Sequence, residues 1–200
     1  MQREGQIQDG HRALGSHLSK AAQDERRALG LPPTAQAAPG ILAPAGKVRP
    51  AVPRRAIHAS DVLNDAPAYQ LAASFSRGLC VTLPAGARLL LFSGTASVGS
   101  HGETLYPGDF EAQCWRTYRN LTRLLESEGA TWHDIVRTSC YLRDIERDYD
   151  TFNRIRTEFF TALGLDPLPA STGIQARLCR SDLLIEIEAM ALLAPAPESR

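Results

Sequence analysis

The run Leu184-Ile185-Glu186-Ile187-Glu188-Ala189-Met190-Ala191 restricts the possible folds more than any other segment. Side chains alternate across a strand, so Ile185, Ile187, Ala189 and Ala191 share one face and Glu186 and Glu188 the other. Such a strand belongs inside a sheet with one face covered. Carboxylates in the middle of it cost on the order of several kcal/mol to bury unless they are paired or hydrogen-bonded. Two readings follow. A carboxylate held there can act as a general acid or base with a raised pKa, or both acids can pair with arginines across a subunit interface.

The elements before this strand are readable from pattern. Gly78 to Leu83 and Arg88 to Ser93 are β-rich runs joined by Pro84-Ala85-Gly86-Ala87, which predicts a hairpin. A polar loop follows, Gly94 to Gly108. Asp109 is a good N-cap for a helix from Phe110 to about Glu128, with Phe110, Cys114, Tyr118, Leu121 and Leu125 as its apolar stripe and Gly129 as its stop. Val136 to Leu142 alternates, placing Val136, Thr138, Cys140 and Leu142 on one face of a strand. A second helix is predicted from about Tyr149 to Leu163, burying Tyr149, Phe152, Ile155, Phe159 and Leu163. Strands Ser171 to Leu178 and Leu183 to Leu193 close the chain. The order β-β-α-β-α-β-β implies an α+β domain over residues 56–195: a single mixed sheet with two helices packed on one face. The uncovered face must meet something, and self-association into a closed ring is the simplest solution.

The first 55 residues read differently. Pro32, Pro33, Pro39, Pro44, Pro50 and Pro53 crowd Leu31 to Arg55, so this stretch reads as a linker. Gly10 to Leu29 can form a short helix with Leu14, Leu18, Ala21 and Ala22 on one side, marginal by itself. Residues 1–55 are therefore expected to be a disordered Pro/Ala-rich tail.

Charge and cysteines exclude several classes. Lys plus Arg and Asp plus Glu number 22 each, and zero net charge counts against a nucleic-acid binder. Cys80, Cys114, Cys140 and Cys179 make no CxxC pair, and read as small hydrophobes in a reducing compartment. The polar N-terminus and the lack of any apolar run near 20 residues lead us to expect a cytoplasmic protein without membrane contact. His101 and His133 have no partner at ligand spacing, so neither a metal nor any other cofactor is expected.

Candidate ligand contacts flank the acidic strand. Arg177 and Arg180 precede it, and a guanidinium fork suits a substrate carboxylate as well as an ion pair. Ser93-Gly94-Thr95-Ala96-Ser97 ends a strand with small residues that let a ligand approach the backbone, or it is a plain turn. Asn153 can point its amide at a ligand or face solvent.

In order and spacing, Phe75-Ser76-Arg77-Gly78, Leu91-Phe92-Ser93-Gly94, Gly108-Asp109 through Gln113, Asn120-Leu121, Val136 to Leu142, Tyr149 to Phe160 and Glu186-Ile187-Glu188-Ala189 resemble the RidA superfamily. The resemblance covers roughly residues 70 to 193. It implies the RidA/chorismate-mutase-like fold, a homotrimer with ligand clefts between subunits, and hydrolysis of enamines and imines to keto acids and ammonia. Where those deaminases carry an arginine just before the penultimate strand this chain has Ala170, and where they carry a tyrosine it has Phe75. Ser93 to Ser97, Gly108-Asp109 and Cys179 to Ala189 further resemble the catalytic half of chorismatases, which release pyruvate from chorismate. That resemblance makes Glu188 the proton donor and Arg177 or Arg180 the carboxylate clamp; Ser93, Gly94, Ala96, Phe75, Asn153 and Thr172 complete the expected substrate contacts. Chorismatases have a second RidA-like half where this chain has its Pro-rich tail. The expected function is therefore addition of water to an activated C=C or C=N bond of a small carboxylic acid. The alternatives are a non-catalytic metabolite-binding module and an RNA-cleaving role.

Overall fold

The computed structural model describes residues 20–28, 52–60, 62–68 and 73–195. The chain divides into two units, residues 1–49 and 50–200. The described part of the first unit is helix α1, Lys20–Ala28. The rest of the first 51 residues, including Leu14, Leu18 and the prolines from Pro32 to Pro50, lies outside the described residues.

The second unit is built on alternation. Strands β1 (Arg54–Ala56), β2 (Gly78–Thr82), β3 (Arg88–Ala96), β4 (Ile135–Leu142), β5 (Ala170–Gln175) and β6 (Ile185–Leu193) form one sheet in the order β1-β2-β3-β6-β4-β5. Only the β4–β5 pair is parallel. Helices α2 (Phe110–Ser127) and α3 (Ile145–Ala162) pack against β3, β6 and β4. The result is the expected α+β domain with a mixed sheet. On β6, Ile185, Ile187, Ala189 and Ala191 are buried toward the helices, as the period of two requires.

Most expected elements form, with three differences. Strand β1 lies within the expected tail. Three residues beside a proline carry no strand signal; β1 pairs with β2, and Arg55 donates to both carboxylate oxygens of buried Glu128 at 2.8 and 2.5 Å. Strand β4 carries a bulge: Ile135 pairs with Ala191 and Arg137 with Met190, so Val136 is extra and exposed. The alternation of Thr138, Cys140 and Leu142 begins only after it. Helix α3 starts at Ile145, because Asp144 caps it by accepting a hydrogen bond from the Arg147 amide. Its buried residues include Phe152, Ile155 and Phe160. Tyr149 and Leu163 are exposed: Tyr149 lies beside Gly173 on edge strand β5, and Leu163 is already the C-cap. Helix α2 matches expectation, with Asp109 accepting from the Ala112 amide at 2.9 Å and the whole apolar stripe buried.

Two buried amides on α2 fix the loops at the end of the sheet. Gln113 is fully buried, donates to the Tyr106 and Asp182 carbonyls and accepts from the Leu184 amide at 2.8 Å. Asn120 donates to the Ala96 and Val98 carbonyls at 2.9 and 3.0 Å. These bonds hold the segment after β3 and the segment before β6 against one helix. Gln113→Leu keeps the volume but strands three backbone groups, which should cost about 3 kcal/mol. Urea unfolding measures it, and a loss below about 0.5 kcal/mol, the range of an ordinary surface change, would show that the clamp is not needed.

Candidate functional site

The face of the sheet opposite the helices carries the acidic residues. Register places Thr172, Ser139 and Glu188 in one row across β5, β4 and β6. The next row holds Ile174, Tyr141, Glu186 and Ala96. On β3 the pairing jumps from Phe92–Ala189 to Thr95–Ile187, so Ser93 and Gly94 form a bulge opposite Glu188. That bulge brings the Gly94 backbone, rather than a side chain, up to Glu186.

Glu188 accepts a hydrogen bond from the Tyr141 hydroxyl at 2.8 Å, and this bond raises the Tyr141 pKa. It lines a cavity of about 370 Å³ with Ser76, Ser93, Arg137, Ser139 and Met190. Glu186 lines a larger groove of about 800 Å³ with Phe75, Arg77, Gly94, Ala96 and Arg180. Burial raises the Glu186 pKa; the Glu188 charge adds to the shift and Arg77 opposes it. Arg77 is itself buried, and its Nε donates to the Asn64 carbonyl at 2.8 Å. Burial lowers its pKa, Asp65 and Glu186 raise it, and the like charge of Arg180 lowers it further. Two guanidiniums thus share one groove with an acid whose burial disfavours its charged form, an arrangement suited to an anionic ligand.

The groove wall is held from behind. Arg143 donates to the Leu183 carbonyl at 2.5 Å and to the Arg180 carbonyl. Arg180 donates to the Gly102 carbonyl at 2.5 Å, and Thr104 to Asp182 at 3.1 Å.

The expected site residues separate into groups. Phe75, Gly94, Ala96 and Arg180 line the Glu186 groove, while Ser93 lines the cavity of Glu188. Ser93 donates through its hydroxyl to the Ser76 carbonyl and through its amide to the Arg77 carbonyl, so both its donors are in use. Thr172 is exposed on the same face as Glu188 and accepts from Arg137 at 3.3 Å. Arg177 lies beyond the end of β5, exposed, and has no hydrogen bond or ion pair among the described residues. Asn153 belongs to the helical layer, where it accepts from Arg156, which also donates to Ser171. It therefore lies on the other side of the sheet from Glu188 within one chain. Cys80, Cys114 and Cys140 are buried, whereas Cys179 is exposed and lines the Glu186 groove. No group of three or more metal-binding side chains occurs among the described residues.

Sequence reasoning missed Arg77, Arg137 and Tyr141 as site residues. The signal for two of them was present: once Thr138, Cys140 and Leu142 face the helices, Arg137, Ser139 and Tyr141 must face the acids. Arg77 gave no periodic signal, because it precedes β2 in an irregular segment.

Known proteins share this architecture. A RutC family protein of Pyrococcus abyssi is 32% identical over 84 residues, 42% of this chain and 62% of the relative's length. A RutC family protein of Pyrococcus horikoshii is 26% identical over 102 residues, 51% of this chain and 77% of its own length. The crystal structure of the YjgF gene product of E. coli aligns with a TM-score of 0.54 and 27% identity, covering 69% of this chain and 98% of that one. A protein of unknown function from Pseudomonas aeruginosa aligns with a TM-score of 0.57 and 28% identity, covering 74% of this chain and 99% of that one. The family model described as Endoribonuclease L-PSP matches residues 66–193, which is most of the sheet and both of its helices. On that match and this fold, the chain belongs to the Endoribonuclease L-PSP family, the RidA/YjgF superfamily.

Proposed function

We propose that this protein is a small-molecule enzyme that adds water to an activated C=N or C=C bond of a small carboxylic acid. The observation that carries the reading is the acid pair on the uncovered face, with Glu186 and the guanidiniums of Arg77 and Arg180 in one groove. In this reading the guanidiniums hold the substrate carboxylate. Glu186 and Glu188 stand two residues apart on one strand face, their backbone positions about 6.6 Å apart by strand rise. For an imine, Glu186, whose burial favours the neutral carboxyl, takes the donor role that the resemblance gave to Glu188 and gives its proton to nitrogen as water attacks carbon. Glu188, oriented by Tyr141, takes a proton from that water, and collapse of the adduct releases ammonia and the keto acid. For an enol ether the proton goes to carbon instead, and collapse releases an alcohol and pyruvate. The chorismatase-like version of the reaction belongs to this proposal. The family's ribonuclease name does not argue for RNA here, because the chain carries zero net charge.

We also propose that the site is completed in a homotrimer. Leu79, Val81, Leu89, Leu91, Met190 and Leu192 share the uncovered face, and Leu192 is 47% exposed in the single chain. Such a patch is unfavourable in water without a partner. We infer that the tail ends before β1, because Arg54 and Arg55 already belong to the sheet.

Three measurements test these statements. With 2-aminoacrylate generated in situ, and separately with chorismate, turnover of one substrate should fall at least about 100-fold in Glu188→Gln and Glu186→Gln, the usual contribution of a positioned acid or base. Equal turnover by the unaltered protein and both variants defeats the enzymatic reading; stabilisation by a keto acid without turnover supports a binding module. Stability should also respond to Glu186. Its raised pKa gives the fold an advantage that is full below the unfolded carboxyl value of about 4.3 and is lost as pH rises through the folded value. Glu186→Gln should therefore gain on the unaltered protein as pH climbs from about 4 toward neutrality, read as thermal midpoints across a pH series; a constant gap contradicts the assignment. Finally, sedimentation should give the mass of three chains, and a monomer would remove the intersubunit site.

A further inference from the structure

A cavity of about 360 Å³ lies beside the acidic groove, lined by Ile57, His58, Asp65, Pro67, Phe75 and Ser76. Phe75 also lines the Glu186 groove, and Ser76 also lines the cavity of Glu188. The new cavity is thus bounded by residues of both acid sites. His58 and Asp65 precede the span matched by the family model, which starts at residue 66.

Its chemistry differs from that of the groove. The His58 Nδ1 is 2.9 Å from the Asp65 carboxylate. In the neutral tautomer with Nδ1–H directed at the carboxylate, Nε2 is a hydrogen-bond acceptor. The charges of Asp65 and Glu186 both act on Arg77, which lines the acidic groove. Ile57, Pro67 and the Phe75 ring, which is 42% exposed, supply apolar walls. The Arg77 guanidinium lies 5.6 Å from the Phe75 ring centroid, and a partly exposed ring can also stack on a flat group. The His58 side chain is 68% exposed, so the pair contributes little to holding the fold together and remains available to a ligand.

We propose that this cavity is a distal subsite, in which the His58–Asp65 pair accepts a hydrogen bond from a hydroxyl on the ring of a carboxylic acid whose carboxylate lies at Arg77 and Arg180. The proposal deepens the functional reading above and rests on its assignment of the groove to a carboxylate. It names the substrate class: a ring-bearing, hydroxylated 2-oxo acid or its imine, in preference to a short aliphatic acid. The Phe75 ring borders the carboxylate end and the ring end alike.

Calorimetric titration of the full chain with 3-phenylpyruvate and with 4-hydroxyphenylpyruvate tests the idea. The hydroxylated acid should bind about tenfold more tightly, since a site built to receive a hydroxyl discriminates against its absence. In His58→Phe the ratio of the two affinities should fall to near one. In Arg180→Met both acids should weaken alike, with the ratio preserved. Equal affinities in the unaltered protein, or a ratio that survives His58→Phe, overturns the subsite while leaving the carboxylate groove standing. Binding of neither acid overturns the groove assignment, and the subsite with it.

Discussion

One oxygen of Glu186 occupies the space that a side chain at position 94 would need. A Cβ built on Gly94 would fall 1.8 Å from Glu186 Oε1. Gly94, in the bulge with Ser93, leaves room for the carboxyl where it lies; a side chain there would displace it. The bulge also resets the faces of β3. Phe92 before it and Thr95 after it both pair with helix-facing residues of β6, so the core is continuous across the irregularity. The carboxylate is partly desolvated by this packing, and desolvation is the largest cause of its raised pKa. The contact that shapes the groove is therefore the contact that prepares the acid to hold a proton.

Such a group needs a stiff surround, since a mobile wall would readmit water. The stiffness comes from the opposite side of the sheet. Gln113 and Asn120 project from α2 and bond the carbonyls and amide of the segments bordering β3 and β6. Arg143, just past β4, bonds the carbonyls of Leu183 and Arg180. A covered face built for packing thereby sets the position of loops that serve the uncovered face. Buried amides are suited to this, because each unmet partner would cost more than the bond returns.

The fold was legible wherever a period ran uninterrupted. The β6 alternation, the α2 stripe and the Asp109 cap needed no tertiary information. Legibility failed where a local irregularity or an edge decided the outcome. Val136 fits the alternation of β4, yet the bulge ejects it, and nothing local distinguishes it from Thr138. Tyr149 fits the helical period of α3, yet the sheet ends beneath it. Strand β1 is too short to show a pattern, and it depends on Arg55 reaching Glu128 at the far end of α2. The acids of the site were visible as charges in an apolar strand. Their cationic partners were not, because Arg77 meets Glu186 only through the folded register, whereas Arg177, nearer in sequence, points to solvent.

The same register explains why Ala170 need not leave the face without a cation. Ala170 pairs with Arg137, which lies one strand nearer the acids and lines the cavity of Glu188. Arg77 and Arg180 bring two more guanidiniums to the adjoining groove. Positive charge is thus spread over three elements around an acid pair, instead of standing on one residue of β5. A guanidinium on a flexible edge strand must be ordered by its ligand, which costs side-chain entropy on binding. Arg77, buried and bonded to the Asn64 carbonyl, is ordered before any ligand arrives. The redistribution moves the centre of positive charge toward β2 and the residues that precede it, which is also the side where His58 and Asp65 add their own cavity.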